Sequence, residues 1–333
     1  MKKTKHFKIL CVFVCLLLLC SCAANKPDEE NSAPSSDVSS LNSLTQSTPS
    51  EPENVNKYDD LLSKMTDCGK SVVTYGDLKS DEYSAFVQSL EKILDGYKYN
   101  ISVVAYSLDN NKALAYNTKT DLFCACTVKA AYSLYACKQM ENGNGSLDTK
   151  MTYEKKHYEP GTGDMQYSPF GTEFTMKTIL DKSMRISDNV GYLMSVDYFG
   201  RDDYNKWISN LGCESLKIKP TVWSLHAKAK DLAVVWREMY NYFDTDTEYS
   251  SFLYNSCTGT PNNYATAALK GVEYSHKQGN NSTGDWLALC DAGIVWKENN
   301  PYIIVILSDA PGPSTYSRGV FADIIKIVHN NLF

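Results

Sequence analysis

The sequence predicts an α/β fold, an α+β sandwich in which both ends of the folded segment share one sheet and a helical block is inserted between them. Two short runs with strand character stand early in that segment, at 101–108 and 113–116. A long stretch with helical spacing follows, and three more strand-like runs then come close together before a final helix. Strands at both ends with helices between them leave the helical block one position, covering a face of the sheet that the two ends build together.

The chain opens on a leader. Residues 1–8 carry four lysines and no acid, 9–20 form an uninterrupted apolar run of twelve residues, and Leu19-Cys20-Ser21-Cys22 closes it. A charged start followed by a short apolar stretch makes a signal peptide, and the run is too short for a stable membrane span. The Leu-x-small-Cys ending resembles a bacterial lipobox. That resemblance implies cleavage before Cys22, a diacylglyceryl thioether on its sulfur, export, and a lipid anchor on the outer face of the cytoplasmic membrane. Residues 23–58 are rich in Ser, Pro, Asn and Glu with almost no aromatic or branched apolar side chain. Such a segment buries too little surface to offset its chain entropy, so it reads as a disordered tether ahead of one large domain over 59–333.

Within that domain, 80–97 carries Phe86, Leu90, Ile93 and Leu94 at helical spacing, the pattern of a first amphipathic helix. The runs 101–108 and 113–116 flank Asp109-Asn110-Asn111-Lys112, whose residues tolerate left-handed backbone, and form a predicted hairpin. Helical spacing continues through 127–140 and 175–200, and again over 228–243, where Leu232, Val235, Trp236 and Met239 share one side. Strands are predicted at 272–278, 290–297 and 302–308, and a closing helix at 315–330.

Composition narrows the partners. Losing the four lysines of the leader takes the formal charge from −6 to −10, an acidic balance without the basic face that nucleic acid requires. Seven cysteines remain in the domain, namely Cys68, Cys124, Cys126, Cys137, Cys213, Cys257 and Cys290, an odd number at irregular spacing that argues against a disulfide framework. Cys124-Ala125-Cys126 lacks the Cys or His partners of a metal site, and the five histidines are scattered, so neither metal nor other cofactor is expected. The chain is expected to act as a monomer.

Three short motifs carry the chemistry. Cys126-Thr127-Val128-Lys129 stands at a helix start, Ser187-Asp188-Asn189 follows 61 residues later between helices, and Lys277-Gln278-Gly279 lies 90 residues further on, on a strand. A nucleophile in the first turn of a helix sits where unpaired N–H groups and the positive end of the helix dipole favour an anion. Lys129, three residues on, shares its face and lowers the pKa of a neighbouring thiol.

In order, spacing and context these motifs resemble the class A β-lactamases and their penicillin-binding relatives, in which Ser-x-x-Lys, Ser-x-Asn and Lys-Thr/Ser-Gly converge on one cleft. The resemblance covers about 80–333 and includes 169–175, ahead of the helix leading to Ser187, and 291–295 on the strand after Lys277. It implies an antiparallel sheet with an inserted all-helical subdomain, and a β-lactam or a D-alanyl cell-wall peptide as the small-molecule partner. It also implies that Cys126 forms the acyl-enzyme, that Lys129 takes or relays a proton and that Ser187 passes one to the leaving nitrogen. Asn189 would bind the substrate's side-chain amide, and Lys277 with Gln278 would face its carboxylate. The backbone N–H groups of Cys126 and of Asn280, which follows Gly279, would form the oxyanion hole. Asp188 is expected to be structural.

Three departures qualify that picture. Cys126 replaces the serine nucleophile, and sulfur is larger than oxygen. Gln278 stands where a hydroxyl is usual. The Glu-x-x-Leu-Asn loop that activates the deacylating water has no counterpart in 211–230, where Glu214 is followed by Ser-Leu-Lys-Ile. Two readings follow: an acyl-transfer hydrolase with slow deacylation, or a catalytically impaired relative that binds cell-wall ligands or a partner.

Overall fold

The computed structural model describes residues 59–332 except 80–82, 221–224, 262–263, 265–267 and 313. The expected leader, the lipidation site at Cys22 and the tether lie outside the described residues. The domain begins with helix α1 (Asp59–Lys64), strand β1 (Val73–Gly76) and helix α2 (Ser84–Asp95). Helix α2 buries Phe86, Leu90 and Leu94, the face its spacing predicts, and ends at Gly96. Strands β2 (Ile101–Ser107) and β3 (Lys112–Tyr116) form the expected hairpin. Strand β1 was not evident in the sequence, because four half-buried residues on a sheet edge carry no clear alternation.

The inserted block then runs through strand β4 (Leu122–Phe123), helix α3 (Val128–Glu141), strands β5 (Lys150–Thr152) and β6 (Glu173–Thr175), and helices α4 (Met176–Arg185), α5 (Asn189–Phe199) and α6 (Asp202–Asn210). It continues through strand β7 (His226–Ala227) and helices α7 (Ala229–Phe243) and α8 (Glu248–Thr258). The helical stretch predicted over 175–200 is two helices. Thr175 caps α4 by accepting from Thr178 N, Asp188 caps α5 by accepting from Gly191 N, and the chain breaks at Ser187 between them. Helix α3 is buried almost all round, as expected of a helix at the centre of a block and not on its surface.

Strands β8 (Glu273–Asn281), β9 (Ala288–Trp296) and β10 (Tyr302–Ser308) and helix α9 (Thr315–Asn331) close the domain. The sheet has the order β1-β3-β2-β10-β9-β8 with every neighbouring pair antiparallel, so both ends of the domain meet at its centre as the sequence implied. Side chains alternate across it. On β10, Ile303, Val305 and Leu307 join the core under the helical block, whereas Tyr302, Ile304 and Ile306 join a second core with Phe86, Leu90, Phe321 and Ile325 from α2 and α9. Each large apolar side chain removed from water in this way stabilises the fold by about 1.5–3 kcal/mol. The register also aims the third motif. Lys277 pairs with Ala292, Ala292 with Val305, Val305 with Val104 and Val104 with Ala115, a row on the face that the helical block covers.

Candidate active site

Cys126 lies in a single 3-10 turn, Ala125–Thr127, that leads directly into α3. The turn is held from both sides. Cys124 N donates to Leu225 O at 2.8 Å, and Thr127 Oγ1 donates to Cys124 O at 2.7 Å. Ala125 has φ 46°, a left-handed conformation that disfavours a residue with a Cβ, and Ser187 has φ 58°. Strain of this kind costs on the order of 1–3 kcal/mol per residue and persists where the surroundings over-determine it. Here it lies next to the nucleophile, at Ala125, and on the second-motif serine itself.

Edge strand β8 runs beside that turn. A methyl group added at Gly279 would sit 2.7 Å from Cys124 O and 2.8 Å from Cys126 N, so only glycine permits this approach. The closeness brings the end of the third motif against the backbone N–H of Cys126. Lys277 Nζ reaches Ser187 Oγ, and donates to Gln278 O at 2.8 Å. Asn280 is exposed one residue beyond Gly279. Gln278 pairs with Asp291 and is half-buried, so its side chain leaves the strand on the face opposite Lys277.

Lys129 ties the first two motifs together. Its Nζ donates to Ser187 O at 2.6 Å and to Asn189 Oδ1 at 2.7 Å. Asn189 in turn donates from Nδ2 to Pro160 O at 3.3 Å. Asp188 is structural, as expected: it accepts from Gly191 N and from Met165 N, each at 2.9 Å. All three motifs therefore converge on one point, where Lys129, Ser187, Asn189 and Lys277 meet beside Cys126 and Gly279; Gln278, which the resemblance placed with Lys277 against the substrate carboxylate, instead points away, because successive residues of a strand face opposite sides.

The electrostatics follow from burial. Desolvation alone would push the Cys126 thiol up, but the charges of Lys129 and Lys277, with hydrogen bonds from Lys129 and Ser187, bring it below the ordinary thiol range. Burial holds Lys129 below the usual lysine value, against the opposing pull of Cys126, Asp188 and Glu159. Burial likewise lowers Lys277, to about 8, opposed by Cys126 and reinforced by Lys129. The other buried thiols move the opposite way. Burial raises Cys124 to about 12 and also raises Cys137, Cys213, Cys257 and Cys290.

Two features were not legible in the motifs. Thr162 Oγ1 donates to Ser187 O at 2.6 Å and approaches Asn189 Oδ1 at 3.3 Å, closing the network around Lys129. Its neighbour Gly163 has φ 95° and lies against Asp188, so the glycines around Thr162 were the available signal. Segment 211–228, which meets the nucleophile turn through Leu225 O, contains one carboxylate in its sequence. Its single acid, Glu214, is 76% exposed and is paired with Lys228 Nζ at 2.7 Å. A cleft of about 500 Å³ opens between this segment and Trp286, whose ring packs on Phe123 and His226 at 5.3 and 5.1 Å.

Comparison with known proteins gives a consistent result. Residues 85–332 match the model of the "Beta-lactamase enzyme family". The chain is 21% identical over 287 residues to beta-lactamase VEB-1 of Pseudomonas aeruginosa, covering 78% of this chain and 93% of that protein. Among solved structures it resembles PBP-A, with a TM-score of 0.68, 18% identity and coverage of 75% and 96% of the two chains. It resembles TLA-3 extended-spectrum beta-lactamase equally in TM-score, 0.68, with 22% identity and coverage of 74% and 98%.

Proposed function

The chain belongs to the beta-lactamase enzyme family, and from that premise we propose that it is an acyl-transfer hydrolase acting on β-lactams or D-alanyl cell-wall peptides through a covalent acyl-enzyme on Cys126. The observation that carries this reading is the buried thiol set between two buried ammonium groups, with Ser187 within reach of one of them. A structural cysteine has no need of two lysines, each of which costs desolvation energy.

The steps follow from the atoms present. The Cys126 thiolate attacks the substrate carbonyl, and the developing oxyanion is met by the backbone N–H groups of Cys126 and Asn280. The C–N bond breaks as the nitrogen takes a proton from Ser187 Oγ, which Lys277 Nζ replenishes. Lys277 also attracts the substrate carboxylate. Asn189 holds Lys129 through Oδ1 and turns Nδ2 toward the substrate amide when that group displaces Pro160 O. Deacylation by water is slow in this scheme. Segment 211–228 has one carboxylate, and it is directed to Lys228; general-base assistance of that kind is worth about 100- to 10,000-fold.

The position of Glu214 also favours the second reading, a lipoprotein that retains cell-wall ligands or a partner without turnover. Intact-protein mass after incubation with benzylpenicillin separates the two. A penicilloyl adduct on Cys126, and a burst of ring opening followed by a much slower phase, are expected for the acyl-enzyme. No adduct would leave the binding reading.

The leader supports export, with Cys22 as the lipid-bearing residue and the 23–58 tether holding a monomeric domain off the outer face of the membrane. Metabolic labelling with a radiolabelled fatty acid, lost in a Cys22→Ala variant, tests that placement.

A further inference from the structure

We infer that His276 and Asp291 form a positioning pair for Lys277, in which Asp291 supplies, from the opposite face of the sheet, the negative charge that holds the Lys277 ammonium ready for a substrate carboxylate. This rests on the acyl-enzyme reading above and deepens it by naming what sustains the carboxylate-binding charge.

The register places the pair. Lys277 pairs with Ala292, and successive residues of a strand face opposite sides, so His276 and Asp291 stand next to that couple on the face turned away from the helical block. His276 Nδ1 lies 2.8 Å from Asp291 Oδ1, and both side chains are buried. Gly293, opposite His276, leaves room for the ring, since a methyl group there would stand 2.5 Å from His276 Cβ. Tyr274 stacks on the imidazole with centroids 4.5 Å apart, and Tyr264 N reaches Asp291 Oδ2 at 3.4 Å.

The second ring nitrogen decides where the charge of Asp291 goes. Nδ1 carries its proton toward the carboxylate, whereas Nε2 is buried without a partner. A proton on Nε2 would be a buried N–H lacking an acceptor, and an unpaired donor of that kind carries its full desolvation penalty. The neutral ring therefore orients Asp291 without cancelling its charge. Burial raises Tyr264 and Tyr274, which stay neutral phenols beside the carboxylate. Arg318 of α9 lies over the Tyr264 ring at 5.6 Å and is exposed, so water and salt screen it.

On the other face, the titratable groups around Lys277 are Cys126, Lys129 on α3 and Cys257 on α8. Burial and Lys129 disfavour the ammonium charge, whereas Cys126, Asp291 and Cys257 favour it. Burial keeps Cys257 a neutral thiol. Acylation turns Cys126 into a neutral thioester, which leaves Asp291 as the remaining anion of that set. A buried ammonium without such an anion releases its proton more readily.

The experiment follows formation of the penicilloyl adduct by intact mass over a series of benzylpenicillin concentrations from pH 6 to 10, with benzylpenicillin methyl ester as the control without a carboxylate. In the wild-type protein the half-saturating concentration should begin to rise near pH 8, where Lys277 loses its charge. A unit charge roughly 10 Å away, at an effective dielectric near 20, is worth about one pH unit. Asp291→Asn should therefore move that limb down by about one unit and raise the half-saturating concentration at pH 8 about fivefold. His276→Gln, whose amide can donate to Asp291 without adding charge, should leave the limb in place, and the ester should respond to neither variant. A limb unmoved by Asp291→Asn, moved as far by His276→Gln, or matched by the ester overturns the inference. If Asp291→Asn alone does not fold, the Lys277→Met/Asp291→Asn variant, which removes both charges, should fold, as read by circular dichroism in a urea titration. A double variant that is equally unfolded overturns the inference too. The adduct on wild-type Cys126 keeps the acyl-enzyme reading standing in each of these cases, whereas its absence removes both.

Discussion

A side chain that is 8% exposed ordinarily holds its thiol proton, because burial disfavours the charged form. Cys126 departs from that rule, since two cationic neighbours outweigh its desolvation, whereas burial raises Cys124, Cys137, Cys213, Cys257 and Cys290. Limited alkylation by iodoacetamide at neutral pH, read by peptide mapping, should therefore label Cys126 first. Burial pushes Cys137 and Cys290 up and leaves them inert. Faster labelling of any other thiol would remove the basis of the assignment. The role of Lys129 is tested by changing the nucleophile. A serine hydroxyl needs an adjacent base, whereas a thiolate forms in part without one. Cys126→Ser should raise labelling by a fluorescent penicillin, and Lys129→Ala should lower it in both backgrounds, abolishing it in the serine variant. A correctly folded serine variant that stays unlabelled would favour the binding reading.

Among the elements, strand β8 and the turn before α3 act as one unit. Their contact depends on Gly279, which has no room for a methyl group against Cys124 O and Cys126 N. Gly279→Ala must push the strand edge away from the turn. It should cost about 1–3 kcal/mol in a denaturant titration and about 100-fold in acylation, since a displacement near 1 Å in a positioned site has that effect. Unchanged acylation would mean that β8 does not set the oxyanion contacts. Helices α4 and α5 show the same economy: the capping carboxylate of Asp188 starts one helix and fixes Met165 N, while the adjacent left-handed Ser187 turns toward Lys277.

For the molecule as a whole, the pH response comes from lysines that lie where the sheet meets the helical block. Burial lowers Lys277 to about 8, so its charge is present below that pH and lost as pH rises through it. Recognition of a carboxylate by that charge should weaken accordingly, with KM for a β-lactam rising by up to about tenfold for each further pH unit. An otherwise matched ester lacking the carboxylate should show no such rise. A KM that stays flat through this range would assign carboxylate recognition to another group.

Much of this arrangement was written in the linear sequence. The three motifs keep their chemistry within three or four adjacent residues, and the long strands and amphipathic helices announce themselves by period, because their buried faces repeat every two or about 3.6 residues. The sequence also determined that 211–228 holds a single carboxylate. What it did not contain were the ribbons β4–β7 and β5–β6, two or three residues per strand and too short for any period, or the break at Ser187, where the backbone adopts a left-handed turn inside a helical pattern. Only the tertiary structure decided that Lys129 joins Ser187 O to Asn189, that Thr162 completes the network, and that Glu214 turns to Lys228. Those contacts join residues from 14 to 60 positions apart, and their energies depend on burial and distance, which exist only once the sheet and the helical block have packed together.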